Sequence, residues 1–486
     1  MSNKYYITTT LPYVNADPHI GFAAEIIRAD VLARYQRYLG NDVFFNTGTD
    51  EHGLKIYRKA AENGKDPQAY TDEYAAKFDK LKEALNLSYN NFIRTTDPEH
   101  KRLAQEFWKR CEANGDIYKK HYQVKYCVGC ELELTESELV DGRCPNHPGQ
   151  DLELIEEENY FFRWSNYADR LLKFYENCPD FVVPPHRLNE IRSFIKHGLD
   201  DFSVSRLKKK MPWGVPVPGD DDHVMYVWFD ALTNYINCLN WDAEPEKFSA
   251  YWGTEGKSNA IQVAGKDNLR QQTAMWQAML MSAGFPPSRQ VLIFGFITAD
   301  GQKMSKSIGN VVNPYDLVEE FGTDALRYYI LSALKPFEDS DYSRERFETK
   351  YNADLANGLG NLAARVSNLL DKNQIKIDIQ AGTDQEFVQA VQAKLDIYAF
   401  DEAIQVLWEK VSETDEYLTS RAPWKMEKAE DKKPVLKRAA QNILNIADLL
   451  RIFLPRTGER LVEQFSQKQV KKGEPLFPRY QKESHD

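Results

Sequence analysis

The order of elements in the first fifty residues restricts the fold more than any other feature. Tyr5-Tyr6-Ile7-Thr8-Thr9-Thr10 is rich in aromatic and β-branched residues and reads as a buried strand. A turn follows at Asn15-Ala16-Asp17-Pro18. Gly21 to Leu39 then carries Ile26, Ile27, Val31, Leu32 and Tyr35 at helical spacing. A second short strand, Val43-Phe44-Phe45, leads into Gly48-Thr49-Asp50-Glu51-His52-Gly53. Strand, helix and strand in that order imply a parallel α/β sheet. The pattern breaks between about 115 and 220, where glutamates, a cluster of cysteines and the run Arg206-Leu207-Lys208-Lys209-Lys210 occur. It resumes after about 222, with strands at Ile261-Gln262-Val263-Ala264 and Val291-Leu292-Ile293-Phe294 and a helix from Asn268 to Ser282 between them. Near 345 the glycine and proline signals thin out, and long amphipathic patterns run to Phe465, as in a helical bundle. The expected organisation is a doubly wound, Rossmann-like parallel-sheet domain in two halves, 1–114 and 222–344. An insertion occupies 115–221 and an α-helical domain 345–486.

Length fits that division, since 486 residues at about 150 per domain give roughly three domains. Apolar residues make up 42% and aromatics 12%, which excludes a disordered chain. No apolar run approaches the roughly 20 residues of a membrane helix. Met1-Ser2-Asn3-Lys4-Tyr5-Tyr6 lacks the apolar stretch of a secretory signal, so cytoplasmic residence is expected. The 62 Lys+Arg against 73 Asp+Glu leave a net charge of −11, which argues against non-specific coating of nucleic acid. Residues 421–486 run the other way, with 15 Lys+Arg and 9 Asp+Glu. That excess is either a solvated basic face or a surface for an RNA backbone.

Cys111, Cys178 and Cys238 are scattered among apolar residues and read as small buried hydrophobes. The other three form a pattern: Cys127-Val128-Gly129-Cys130, thirteen residues, then Cys144-Pro145-Asn146-His147. Two short ligand pairs around a loop have the spacing of a tetrahedral Cys₃His zinc site. All four positions are filled by protein, so the zinc is expected to be structural.

Two polar segments carry the reaction chemistry. At Pro18-His19-Ile20-Gly21-Phe22 a strand has ended and a helix begins, and a helix N-terminus with free N–H groups suits a phosphate. His19 can donate to a phosphate oxygen, and Gly21 lets a nucleotide approach the backbone closely. Taken alone, this is also an ordinary helix start after Asp-Pro. The second segment, Gly301-Gln302-Lys303-Met304-Ser305-Lys306-Ser307-Ile308-Gly309, places two lysines in a polar loop between glycines. Such a loop can close two cations onto a polyphosphate. Two other glycine segments lack the context their motifs need. Gly253-Thr254-Glu255-Gly256-Lys257-Ser258 has Tyr251 where a phosphate loop needs glycine, and Gly358-Leu359-Gly360 lies inside a helical pattern.

His19-Ile20-Gly21 and Lys303-Met304-Ser305-Lys306-Ser307, in this order and widely separated, resemble the signature pair of class I aminoacyl-tRNA synthetases. Thr10-Leu11-Pro12-Tyr13-Val14-Asn15, Gly48 to Gly53, Val227-Trp228-Phe229-Asp230-Ala231-Leu232-Thr233-Asn234-Tyr235 and Ala264-Gly265-Lys266-Asp267 narrow the resemblance to the methionyl-tRNA synthetases, over nearly the whole chain. The resemblance implies that Asp50 holds the substrate ammonium. It also makes Leu11, Tyr13, Trp228, Ala231, Tyr235 and Gln272 line the methionine pocket, and aromatic edges suit a thioether. His19, Gly21, Lys266, Asp267, Lys303 and Lys306 would bind ATP with Mg²⁺, with His19, Lys303 and Lys306 catalytic. Asn361-Leu362-Ala363-Ala364-Arg365 and Ala422-Pro423-Trp424 match the segments that read the anticodon of tRNA(Met). An aromatic face there stacks a splayed base while Asn361 and Arg365 read base edges. The family also carries zinc knuckles in its insertion.

Three departures from the family pattern stand out. Phe22 and Phe294 stand where histidine is usual, and Gln271-Gln272 replace Phe-His. An amide at Gln272 can take over from the imidazole as a hydrogen-bond partner. The expected activity is methionine–tRNA ligation through methionyl-adenylate. Other readings are a class I synthetase for another apolar amino acid and a non-catalytic tRNA-binding paralogue. The chain ends soon after Pro475 to Arg479, leaving no room for the appended module some relatives carry, and a monomer is expected.

Overall fold

The computed structural model describes residues 3–134, 138–304 and 309–481. The chain divides into two compact units. The first comprises Met1–Pro18, Gly40–Lys82 and Ser88–Phe294; the second comprises His19–Leu39, Glu83–Leu87 and Gly295–Asp486.

The first unit is built on a six-stranded sheet. Its order is Asn91–Arg94, Asp42–Thr49, Lys4–Thr9, Ala260–Gly265, Gln290–Phe294, Val182–Val183, and every neighbouring pair is parallel. The central strands are buried on both faces, as parallel sheets require, which is why they are dense in Ile, Val, Phe and Thr. The sequence-expected strands are all present, and Asp42–Thr49 extends through Gly48-Thr49. The edge strand Val182–Val183 comes from within residues 115–221. Tyr6, Phe107, Trp108, Phe229, Trp276 and Ile293 share one core, which fastens the Pro98–Ala113 helix to the sheet. Strand order runs outward in opposite directions from the junction of Lys4–Thr9 and Ala260–Gly265. In open α/β sheets ligands bind at the carboxyl ends of strands at such a reversal. Residues 115–221 also carry a four-stranded sheet, whose long pair, Ile117–Cys127 and Glu153–Phe162, is antiparallel.

The second unit contains the Ile20–Tyr38 helix, a three-stranded sheet of Gln302–Lys303, Ile297–Ala299 and Ser340–Tyr342, and long helices including Phe400–Arg421, Ala429–Phe453 and Pro455–Phe465. Buried polar groups explain why the Ile20–Tyr38 helix belongs here. Asp30 pairs with Arg327 at 2.8 Å with both side chains fully buried, and Arg327 also donates to Phe453 O and Leu85 O. Arg28 donates to Leu334 O at 2.9 Å. Breaking one partner of such a buried pair typically costs about 3–5 kcal/mol. Among the described residues no helix is long and apolar enough to cross a membrane.

Candidate active site and metal centre

The residues expected to hold the amino acid lie at the sheet reversal, entirely within the first unit. Tyr13 follows strand Lys4–Thr9 and Asp50 follows strand Asp42–Thr49. Asp50 N–H donates to Pro12 O at 3.0 Å, Val14 N–H donates to Asp50 O at 3.2 Å, and Tyr13 and Asp50 are thereby held side by side. Asp50 is only 4% exposed. Its Oδ1, the Tyr13 hydroxyl and Trp228 Nε1 are buried with no hydrogen-bond partner among the described residues. Buried polar atoms are nearly always paired, so three orphans on these residues mark a place that a ligand completes. Burial, together with the charges of Asp230 and Glu131, pushes the Asp50 carboxyl well above the usual carboxylate range. An incoming ammonium reverses that cost.

Tyr13 and Trp228 pack on one apolar cluster with Tyr126, Ile155, Tyr226 and Val227. Ala231 is buried in the Val227–Leu232 helix, and Leu11 is half-buried in the turn after the first strand. Tyr235 is held by Gln272, whose Nε2 donates to the phenol oxygen at 2.6 Å. Gln272 sits in a π-helical stretch, Gln271–Met275, where the sequence pattern suggested a plain α-helix. Such wide turns are frequent at functional sites. Gln272 Oε1 accepts from Gln262 at 3.2 Å, Gln262 accepts from Ser288, and Gln277 Nε2 donates to Gln272 O at 2.8 Å. The Gln272 amide is thus oriented by a buried polar ring.

Sequence reasoning missed a support behind Asp50. His52 Nδ1 lies 2.5 Å and His100 Nε2 2.8 Å from the two oxygens of Asp230, all three side chains buried. Burial alone would raise the Asp230 pKa, but the two imidazoles hold it at about 2. The signal was a lone carboxylate in the apolar run Val227 to Leu232, which needs buried partners. Lys266 and Asp267 occupy a short 3₁₀ turn at the carboxyl end of Ala260–Gly265, Lys266 half-buried and Asp267 exposed.

Cys127, Cys130, Cys144 and His147 converge, with their ligand atoms all within 4.8 Å of one another. A tetrahedral zinc, about 2.3 Å from sulfur and about 2.0–2.1 Å from nitrogen, sets its ligands about 3.5–3.8 Å apart. Cys130 Sγ to Cys144 Sγ at 3.6 Å and Cys127 Sγ to His147 Nδ1 at 3.7 Å fall in that range, while Cys130 Sγ to His147 Nδ1 at 3.1 Å is shorter. Three thiols and an imidazole gathered in this way are a donor set that suits zinc. Gly129 is required by space, because a Cβ there would stand 2.7 Å from the His147 ring.

The phosphate-binding candidates of the two signature motifs lie in the second unit. His19 caps the Ile20–Tyr38 helix, and its Nδ1 accepts the Gly21 N–H at 3.1 Å. A neutral ring then carries its proton on Nε2, which is left to donate. A Cβ on Gly21 would stand 2.8 Å from His19 Cε1, so the ring of His19 itself makes the close approach that glycine permits. Ile20 N–H donates to Val312 O at 2.9 Å, joining the helix start to the segment after the lysine loop. That loop begins as a hairpin, Ile297–Ala299 against Gln302–Lys303, with Asp300 at φ 52° and Gly301 at φ 73°. Positive φ at both central residues makes it the tight turn that Asp-Gly favours. Lys303 is described through its backbone, which pairs with Thr298. Ser305, Lys306 and Ser307 lie outside the described residues.

In the helical region, Ala422 takes a left-handed conformation after the Phe400–Arg421 helix and turns the chain into Pro423–Lys425. Trp424 is 44% exposed there, and the Arg365 guanidinium lies 5.2 Å from its ring centre. Arg365 is paired with Asp415, and Asn361 is exposed at the start of helix Asn361–Lys372. Gly358 and Gly360 lie in a helical stretch, and Gly253-Thr254 pairs with Lys257-Ser258 as a hairpin, so neither is a nucleotide loop.

Comparison with known proteins agrees with this geometry. The family described as tRNA synthetases class I (M) matches residues 5–153 and 148–367. The chain is 39% identical to the methionine–tRNA ligase of Caldanaerobacter subterraneus subsp. tengcongensis, over 99% of this chain and 79% of that protein. It is 42% identical to that of Mesorhizobium japonicum, over 95% of this chain and 91% of that one. The structure of Mycobacterium tuberculosis methionyl-tRNA synthetase in complex with methionyl-adenylate matches with a TM-score of 0.90 at 36% identity, covering 98% of this chain and all of that one. Motifs, sheet and pocket together place the chain in the methionine–tRNA ligase family of class I aminoacyl-tRNA synthetases.

Proposed function

We propose that this chain activates methionine with ATP and transfers it to tRNA(Met), using the residues assembled above. The methionine ammonium binds Asp50, and the side chain lies among Leu11, Tyr13, Trp228, Ala231 and Tyr235, with Gln272 fixing Tyr235. Lys266 and Asp267 contribute to ATP binding at the strand end beside it. The methionine carboxylate attacks the α-phosphate, a bond to the α-phosphorus forms, and pyrophosphate leaves with Mg²⁺. His19, whose Nε2 is free to donate, steadies the phosphates at the helix N-terminus beside Gly21. Lys303 and Lys306 neutralise the charge that grows on the leaving group. The terminal ribose hydroxyl of tRNA then attacks the carbonyl of methionyl-adenylate and releases AMP. Catalysis is mainly positioning plus electrostatic stabilisation.

Zinc in the Cys127, Cys130, Cys144 and His147 site supplies structure, because four protein ligands leave no position for a reacting water. Trp424 stacks an anticodon base while Asn361 and Arg365 read base edges. The observation that carries the amino-acid assignment is the buried, orphaned Asp50 Oδ1 beside the orphaned Tyr13 hydroxyl. ATP-dependent charging of tRNA(Met) with methionine by the purified chain tests the reading. Absence of charging by folded, zinc-loaded protein contradicts it.

A further inference from the structure

Glu131 follows the metal ligand Cys130 and has two unusual properties. It is fully buried, and its backbone is left-handed at φ 52°, a conformation that non-glycine residues adopt only at a cost. Such strain persists where the surroundings enforce it. The enforcing contacts all lie in the first unit. Glu131 Oε1 accepts the N–H of Lys55 at 2.7 Å, and its other oxygen accepts the Tyr126 hydroxyl. Lys55 stands in the first turn of the Leu54–Glu62 helix, five residues after Asp50. Its Nζ donates to Gly129 O, between the two knuckle cysteines, at 3.1 Å. The same ammonium lies 5.6 Å from the centre of the Tyr13 ring. The Asn15 amide completes the path once its oxygen and nitrogen are assigned from their neighbours: the oxygen then accepts from Lys55 Nζ at 3.3 Å and the nitrogen donates to Tyr13 O at 3.1 Å. One backbone segment of the knuckle, Gly129 to Glu131, thus grips a residue that lies against the Tyr13 ring and on the chain just after Asp50.

We propose that Glu131 is a positioning residue for the amino-acid pocket, carrying the state of the metal knuckle through Lys55 to Tyr13 and Asp50. The knuckle then does more than hold its own loop. With the four ligands gathered on an ion, residues 129–131 are fixed, and Lys55 is fixed with them. Released ligands free Glu131 from its strained backbone, and the Lys55 contacts go with it. Metal affinity and methionine affinity are therefore coupled, and the coupling is reciprocal. This inference rests on Tyr13 and Asp50 forming the methionine site.

The test uses the full zinc-loaded chain. Methionine binding is measured by equilibrium dialysis before and after zinc is stripped with a chelator, and zinc release is timed with and without saturating methionine. Stripping zinc is expected to weaken methionine binding at least tenfold, and methionine is expected to slow zinc release. Glu131→Ala should keep one zinc per chain. It should raise the methionine KM in pyrophosphate exchange about tenfold, leave kcat within threefold, and lose the effect of methionine on zinc release. Glu131→Gln, which keeps the acceptor for Lys55 N–H, should recover part of the affinity. If Glu131→Ala does not fold, Lys55→Met carries the test, with methionine binding expected to weaken at least threefold while zinc stays bound. Methionine affinity within twofold across zinc removal, or unchanged in the folded variants, overturns the relay. Failure to bind methionine even with zinc present would instead contradict the proposed function.

Discussion

Asp50 is 4% exposed and Trp424 is 44% exposed, and each is the residue on which a proposed recognition surface centres. Around Asp50 the neighbours are fixed before any ligand arrives: Tyr13 by main-chain bonds, Tyr235 by Gln272, Asp230 by two imidazoles. Around Trp424 the support is looser, with a single arginine over the ring and that arginine paired to Asp415 at the surface. A small amino acid offers few atoms, so its site must be preorganised and buried to gain enough from each contact. A splayed base brings its own flat face, and one exposed aromatic suffices.

The largest effect expected from separating the two surfaces is at the lysine loop. Lys306→Ala should lower pyrophosphate exchange by about 10²–10³-fold, the scale of losing one transition-state charge partner, and leave tRNA affinity unchanged in a filter-binding assay. Asp50→Asn follows. It should raise the methionine KM by about ten- to a hundredfold, since a charge-assisted bond contributes about 1.5–3 kcal/mol, again without touching tRNA binding. The Asp50 carboxyl holds its proton above the usual carboxylate range, whereas binding needs the carboxylate. Methionine affinity should therefore improve as pH rises through that raised value, and titration calorimetry at several pH values should show proton release on binding. Trp424→Ala should break the other surface alone, raising the KM for tRNA about five- to a hundredfold with exchange unchanged, in line with about 1–3 kcal/mol per stacked base. The smallest effect is on stability. Asp230 is held at about 2 against an ordinary 3.8, so its contribution is present above pH 3.8 and disappears as pH falls toward 2. Asp230→Asn should lower the melting temperature at neutral pH and flatten that acid dependence.

The two surfaces were also unequally legible in the sequence. The Cys₃His cluster was legible from its spacing alone, whereas Asp50, Tyr13 and Trp228 were reached through the resemblance of the strings that hold them, and the strands around them were dense in β-branched residues. The hairpin leading into the lysine loop is encoded locally, because Asp300-Gly301 is the pair that a tight turn with positive φ at both central residues favours. Other features depend on pairing across long stretches of chain. Val182–Val183 is two residues long and becomes a sheet edge only because Gln290–Phe294 accepts it. The π-helical turns at Gln271–Met275 and Tyr351–Gly360 keep the apolar pattern of an ordinary helix and differ only in winding. Glu131 looked like one more glutamate in an acidic insertion. Its burial and its left-handed backbone come from Lys55 and Tyr126, which the fold brings to it from elsewhere in the chain.

The central claim is that a buried, preorganised pocket with an amide at Gln272 still selects methionine. ATP–pyrophosphate exchange with each of the twenty amino acids tests it most directly. The account predicts exchange with methionine, at least a hundredfold above leucine, isoleucine, valine and cysteine. Equal or faster exchange with any of those four would contradict it.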